Sequence, residues 1–527
     1  RDDAVSVLCG QGTAPQGATI AHYRNEGLDL IPGSGLLATV IPGAFDAWML
    51  MLRDHGTMSL REVLEPAIYY ARHGHPVLQR VSQAIEGLAD LFRTEWTSSA
   101  ETWMPGGNVP VTGALFRNPV LADTWEKVLT EAETASGREA QVEKARETFY
   151  RGFVAERIGA YLESACVMDG TGERRKGVLT ADDMAGWQAH WEAPLRGDYG
   201  DWTVCKTGPW GQGPVLLQSL KILEHSGISD MPPLGADFVH TTVEAMKLAY
   251  ADRDAYYGDP DFFDVPMQQL LSEDYARARA GLIGENASLD QRPGRIAGLE
   301  HLAEAAVAQA GAETAVRVGA DAGEPTMAHL ANRKGDTVHL DVIDRWGNMV
   351  SATPSGGWLQ SSPIIPGLGF ALNSRAQMFW LDEGLPTSLG PGRRPRTTLT
   401  PSLALHEGRP NLVFGTPGGD QQDQWQLIFF LRLVHGGGNM QEVIDGPLFH
   451  SMHFTGSFYP RRAMPGRMMI EPAAGEGVIA ELRRRGHEVE VAAPWSVGRL
   501  TAAARDADGL LRAAATPRLM QAYAVGR

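Results

Sequence analysis

KGDTVHLDVIDRWGNMVS, residues 334–351, is the stretch on which the fold turns. Apolar residues alternate at Val338, Leu340 and Val342, and MVSAT (349–353) reads as a second strand after the same period of two. DRWGN (344–348) supplies turn chemistry between them, so the pair is expected to form a hairpin. Thr337 opens the first strand directly after Asp336, deep inside the chain. Threonine is at home in strands and needs no special reason to be there. It could also be destined to become a chain terminus. A threonine hydroxyl is a poor nucleophile unless a base lies beside it, and an α-amine freed on the same residue is such a base, covalently held.

Upstream of the hairpin the pattern is mostly helical. Residues 57–74, TMSLREVLEPAIYYARHG, place Ser59 as N-cap with Glu62 three residues on and an apolar stripe through Leu60, Val63, Leu64, Ala67 and Ile68, with Gly74 as the stop. LADTWEKVLTEA (121–132) and FVAERIGAYLE (153–163) read as amphipathic surface helices, and FVHTTVEAMKLAYADRDAYY (238–257) as a longer, more buried one. Residues 302–336 are rich in Ala and Gly and poor in large apolar side chains, so a flexible linker is expected there. Downstream the chain is sheet-rich. RPNLVFGTPGGD (409–420) reads as a strand running into a glycine loop, and HGGGNM (435–440) as a helix end and turn.

Composition narrows the class. The 527 residues are 43% hydrophobic and 21% charged, as in an ordinary compact protein. The net charge of −16 is spread without a basic stripe, which argues against nucleic acid as a partner. Cys9, Cys166 and Cys205 are few and far apart, so neither a disulfide framework nor a zinc site is expected. His339, His450 and His453 lack an acidic or histidine partner at helical ligand spacing, and no phosphate-binding loop is present, so metal and cofactors are both expected to be none. No apolar run approaches the roughly 20 residues of a bilayer span, so a soluble protein is expected; its location is left open, with the sparse cysteines leaning towards the cytoplasm. The chain starts at Arg1 rather than Met, which leaves the true N-terminus out of view.

In order along the chain, GTAP (12–15), IPGAFDAW (41–48), LEPAIYYARHGHPV (64–77), FYRGFVAERI (149–158), GVLTADDMAGW (177–187), EAMKLAYADRDAYYGDPDF (244–262), DTVHLDVIDRWGNMVSAT (336–353), PGLGFALNS (366–374), GRRPRTTLTPSLAL (392–405), FGTPGGD (414–420) and PLFH (447–450) resemble the γ-glutamyltransferase family of Ntn amidohydrolases and transpeptidases. The resemblance covers almost the whole chain, the family's N-terminal segment ahead of residue 1 excepted. It implies an α+β fold, a four-layer αββα sandwich made from a self-cleaved precursor. The Asp336–Thr337 bond would be the cleavage site, with 1–336 as large subunit and 337–527 as small subunit of one composite domain. Such a heterodimer could oligomerise further, and its partner would be a small-molecule amide. Thr337 would be the nucleophile, and Gly418 and Gly419 would supply the oxyanion hole. Ser355 would replace a family threonine that bonds the nucleophile's terminus, with Thr353 beside it on the same strand.

The departures concern substrate. Reading a γ-glutamyl group requires an arginine fork for its carboxylate and an acid for its ammonium. Gln11 replaces the family's arginine, Gly357 its asparagine, Met378 its aspartate, and Thr397 and Thr398 its serine pair. Arg375 and Arg396 are expected to face solvent or pair with acids rather than to compensate. The resemblance therefore implies an amide other than a standard γ-glutamyl compound, either oxamate-like or with a small or apolar acyl group that suits Trp358. Authentic γ-glutamyl hydrolysis and an uncleaved, inactive scaffold are the alternatives.

Overall fold

The structure, a computed structural model, describes residues 4–311, 337–518 and 522–526. The strands that build the site are β1 (Leu195–Tyr199), β2 (Trp202–Lys206), β3 (Leu340–Ile343), β4 (Met349–Ala352), β5 (Ser402–His406), β6 (Arg409–Gly415), β7 (Thr501–Arg505) and β8 (Leu511–Ala515). Six of them form one antiparallel sheet in the order β8, β7, β6, β5, β2, β1. β1 and β2 come from the stretch read as mostly helical, and β2 pairs with β5, so residues on both sides of 336 share a sheet.

The helices used below are α1 (Ala44–His55), α2 (Leu60–His73), α3 (Pro119–Ala132), α4 (Arg138–Tyr150), α5 (Phe153–Ser164), α6 (Pro214–Glu224), α7 (Ala236–Tyr256), α8 (Glu300–Gly311) and α9 (Gln422–Gly436). α6 and α9 press on one face of the sheet, and α7 packs on α6. Val204, Ala404, Leu412, Phe414 and Ala502 from the sheet join Leu216, Val243, Phe429 and Phe430 from these helices in a single buried cluster. The helices α1 to α5 form a second cluster around stacked Phe45, Trp125 and Phe149. The hairpin β3–β4 lies against β6 and β7. Because consecutive strand residues point to opposite faces, Phe414 enters the helix-covered core while Gly415 faces the hairpin. The described residues thus stack helix, sheet and hairpin.

Two expectations need correction. The Ala-rich stretch read as linker from residue 302 begins as helix: α8 runs to Gly311, with Leu302, Ala303 and Ala306 buried against the main core. Alanine's helix propensity, joined to a short apolar stripe, outweighs the resemblance to a linker. The remainder, 312–336, lies outside the described residues, as does Asp336. On α2 the Ser59–Glu62 capping box forms as expected, yet only Leu60 and Ile68 of the stripe are buried. Val63, Leu64 and Ala67 instead line a cleft.

Of three buried histidines, His240 and His487 brace α7 against the sheet-rich part. His240 Nε2 meets the Gly284 carbonyl at 2.8 Å, and its Nδ1 lies 2.9 Å from His487 Nε2. His453 Nδ1 accepts from the Gly466 N–H at 3.0 Å, which requires a neutral ring. Burial, with Lys247 nearby, pushes His453 and His487 down from 6.5 to about 3. A folded value below the unfolded one means the unfolded chain binds more protons, so stability falls as pH drops from 6.5 towards about 3. Thermal unfolding followed across that range should show a progressive fall in Tm that His453→Phe makes shallower.

Candidate active site

The hairpin that carries Thr337 faces the reverse way from what its apolar alternation suggests. Val338, Leu340 and Val342 are 53%, 45% and 54% exposed, while His339 and Asp341 point inward and are buried. Burying polar groups is tolerable only when each finds a partner, and here a continuous chain provides them. Thr353 Oγ1 lies 2.8 Å from His339 Nδ1, His339 Nε2 3.0 Å from Asp341 Oδ1, and Thr501 Oγ1 donates to Asp341 Oδ2 at 2.8 Å. The carboxylate can only accept, so Nε2 carries hydrogen towards Asp341. The His339 ring lies on Gly415 of β6, where a Cβ would overlap it.

This anchorage places Thr337 next to the chain that continues β4. The Val338 N–H donates to the Pro354 carbonyl at 3.1 Å, and Thr337 Oγ1 donates to Ser355 Oγ at 3.0 Å. Ser355 Oγ also accepts from Arg375 Nη2. Arg375 heads a 3-10 turn, Arg375–Met378, whose entry is fixed by Asn373: its Oδ1 accepts from the Arg375 and Val40 N–H groups. Ser374 N–H donates to the Gly356 carbonyl at 2.9 Å, tying that turn to the loop after Ser355. Arg375 is buried, so the expectation that it faces solvent is overturned. No sequence signal marked it, because NSRAQ has no pattern that separates a buried arginine from a surface one.

Thr337, Thr353, Ser355 and Arg375 wall a cleft of about 2490 Å³ between the hairpin and the helical lobe, together with Gln11 and Trp358. It is larger than a typical small-molecule pocket. Trp358 and Trp103 lie edge to face along one side, with Phe116 stacked on Trp103. Gly357, Met378, Thr397 and Thr398 are not on its walls, so six residues expected to form one pocket do not assemble as one. Gly357 has φ +101° and packs under Ser374 and Ser361. Met378 is drawn into the core between Ala376 and Phe379. Thr397 forms a bridge with Gly211, and both threonine side chains are fully buried.

Gly418 and Gly419 lead into the buried helix α9, at φ +142° and +60°. Trp425 blocks a Cβ at the first and Phe458 at the second, so both positions demand glycine. Pro417 reaches the cleft wall, and Phe458 connects Gly419 to Arg375, whose guanidinium is 6.0 Å from the ring centre. Next along, Asp420 takes hydrogen bonds from Arg253 at 2.5 Å and from the Ser457 N–H at 2.9 Å. Burial would raise its carboxyl, but Arg253, Arg396 and these bonds hold it below the usual range.

Two groups among the described residues are close enough to share a cation: Cys9, His190 and Glu192, and His240, Glu244 and His487. Arg394 already contacts Cys9 and Glu192, and Lys247 and Arg292 engage Glu244, so cations of the protein itself occupy both.

A threonine hydroxyl ahead of a strand, a second hydroxyl bonded to it and a two-glycine loop agree with what the whole chain matches: residues 1–526 fit the gamma-glutamyltranspeptidase family. The chain belongs to that family. It is 30% identical to the glutathione hydrolase-like YwrD proenzyme of Bacillus subtilis, over 98% of this chain and 86% of the relative. It is 29% identical to the oxamate amidohydrolase proenzyme of Klebsiella pneumoniae, covering 97% and 85%. Among solved structures, that of LmbA2991HD is 52% identical, with a TM-score of 0.89 over 99% of this chain and 88% of that one. The protein is therefore an enzyme of acyl transfer and amide hydrolysis, with relatives made as proenzymes. Among the described residues no helix is long and apolar enough to cross a membrane.

Two substitutions test the packing. Gly415→Ala should push His339 off the sheet and lower stability by about 1–3 kcal/mol, the usual range for overpacking, with activity falling because Thr337 moves with the hairpin. Denaturant melts and a rate assay on the same sample check this. At Gly357 an added Cβ would come 2.5 Å from Ser374 Oγ and 2.9 Å from Ser361 Cβ in an unfavourable φ. Gly357→Asn should accordingly lower activity and give no gain on γ-glutamyl anilide.

Proposed function

We propose that the protein is a self-processed Ntn amidohydrolase in which Thr337, freed by cleavage of the Asp336–Thr337 bond, attacks the amide carbonyl. The observation that carries this reading is Thr337 Oγ1 hydrogen-bonded to Ser355 Oγ at the wall of a large cleft, in a member of a family of amide hydrolases. Residues 1–336 and 337–527 would remain together as large and small subunits in a four-layer αββα sandwich.

Chemically, the new α-amine of Thr337 takes the hydroxyl proton as Oγ1 attacks, then gives it to the departing amine. An α-amine titrates near 8 in water, so part of it is free base at neutral pH. Ser355 holds the hydroxyl in line with its strand. Gly418 and Gly419, at the head of α9, offer backbone N–H groups to the oxyanion, and losing one such donor typically costs roughly 10²- to 10³-fold in rate. Water then resolves the acyl-enzyme.

The substrate we propose is an amide other than a γ-glutamyl compound, because Gln11 and Met378 provide neither an arginine nor an acid for a zwitterion. The similarity to an oxamate amidohydrolase favours an oxamate-like amide. The similarity to a glutathione hydrolase-like protein favours γ-glutamyl hydrolysis as the second reading.

Intact mass of purified wild type and of Thr337→Ala tests the mechanism. Wild type should give two chains, one starting at Thr337, while the variant stays whole and loses roughly 10⁴-fold or more in amide hydrolysis. A folded wild type that remains a single chain would overturn the nucleophile assignment and leave the scaffold reading.

A further inference from the structure

In the two-glycine loop the carbonyls are anchored and the donors are not. Among the described residues the Gly418 and Gly419 N–H groups meet no acceptor. The Gly418 carbonyl accepts from the Gln421 N–H at 3.2 Å, and the Gly419 carbonyl accepts from the Gln422 N–H and from Gln212 Nε2, the latter at 3.3 Å. In a trans peptide the carbonyl and the following N–H point opposite ways, so holding the Gly418 carbonyl points the Gly419 N–H away from the turn that follows. The Gly419 carbonyl belongs to the next peptide plane, and holding it restricts rotation between the two planes. A glycine pair has little stiffness of its own, so these bonds decide how the planes lie.

The anchor on Gly419 comes from across the fold. Gln212 lies just ahead of α6, is fully buried, and gives its own N–H to the Thr397 carbonyl at 2.9 Å. Its Oε1 accepts from Arg253 Nη1 at 3.2 Å. A guanidinium only donates and a carbonyl only accepts, so one orientation of the carboxamide serves both neighbours: oxygen to Arg253, amide nitrogen to Gly419. Arg253, fully buried on α7, is fixed in turn by Asp420 at 2.5 Å and by the Thr455 carbonyl at 2.9 Å. It therefore grips the loop twice, directly through the Asp420 carboxylate and indirectly through Gln212 at the Gly419 carbonyl. Both Gln212 and Arg253 precede residue 336, whereas the loop they hold follows it.

Resting on the oxyanion reading above, we infer that Gln212 is a positioning residue for the reaction: oriented by Arg253, its amide group sets the Gly419 peptide and thereby the aim of the N–H donors that receive the oxyanion. It acts through the loop and touches neither substrate nor the reacting atoms. Hydrogen bonds weaken steeply as they are bent, so a turned donor loses much of what a missing one loses. In the cleaved enzyme proposed above, this contact makes the oxyanion loop of the small subunit depend on the large one.

Gln212→Glu tests this, because a carboxylate of nearly the same volume keeps the acceptor for Arg253 and removes the donor for Gly419. Kinetics on oxamate and on γ-glutamyl p-nitroanilide are scaled to the cleaved fraction from intact mass, and hydrogen exchange is followed in the peptide 416–424. Gln212→Glu should lower kcat roughly 10- to 100-fold with KM held within about twofold, and should speed exchange of the Gln421 and Gln422 amides bonded to the loop. Gln212→Leu, which removes both contacts, should do the same at a lower Tm. A Gln212→Glu protein that loses only Tm, with kcat and loop exchange as in wild type, would make the residue structural and overturn the inference. Faster loop exchange with kcat unchanged would overturn it through its premise, since Gly418 and Gly419 would then not be the oxyanion donors. Should neither variant fold, wild type decides: exchange at 416–424 as fast as in the largely exposed turn 436–439 would mean no anchoring and would overturn the inference. Wild type that stays uncleaved, or hydrolyses neither compound, would sink the nucleophile reading instead, and loop exchange then judges the Gln212 contact by itself.

Discussion

The position of Thr337 depends on a buried polar chain from Thr353 through His339 and Asp341 to Thr501. The hairpin has only two strands, and such a unit is marginal by itself. Turning its apolar side towards the cleft removes the usual hydrophobic reason for it to stay on the sheet. Hydrogen bonds with defined partners replace that attraction and bring directionality, since a register slip of one residue would turn His339 and Asp341 away from Gly415 and Thr501. The absence of a Cβ at Gly415 lets the imidazole approach the strand closely. Thr337 inherits its place from this contact.

Much of the scaffold was legible in the sequence, for reasons that differ by element. The strand, turn and strand of residues 338–352 follow from alternation and from DRWGN, and the helix of 60–73 from its capping box, because both signals are local. Which face of the hairpin is buried was not legible, since alternation defines two faces without ranking them when the polar one can satisfy itself. Most of α8, residues 302–311, was misread because Ala serves linkers and helices alike, and only the burial of Leu302, Ala303 and Ala306 separates the two. The site divides the same way. Thr337 and Ser355 were found from the order of motifs and lie together, whereas Gln11, Gly357, Met378, Thr397 and Thr398 were assigned by position and only Gln11 reaches the cleft. The burial of Arg375 was not foreseen because its neighbours come from across the fold: Ser355 from one loop and Phe458 from another.

Chemistry and specificity rest on different kinds of structure here. Thr337, Gly415, Gly418 and Gly419 are held by strand pairing, helix entry and positions where any Cβ collides. The neighbouring segments 355–361 and 373–378 are short turns tied by single bonds such as Ser374 N–H to the Gly356 carbonyl. A side chain exchanged in such a turn disturbs no ladder. Gly357 shows the limit of that freedom, because Ser374 and Ser361 have closed over the space that a side chain would fill.

The buried arginines give this argument its sharpest form. A guanidinium keeps its charge under almost any burial, so a buried excess of them can be relieved only by an anion or by displacement. Arg253 pairs with Asp420 and Asp254, Arg396 reaches Asp254 at 4.0 Å and donates to Ser457, and Arg461 donates to the Gln377 and Phe379 carbonyls.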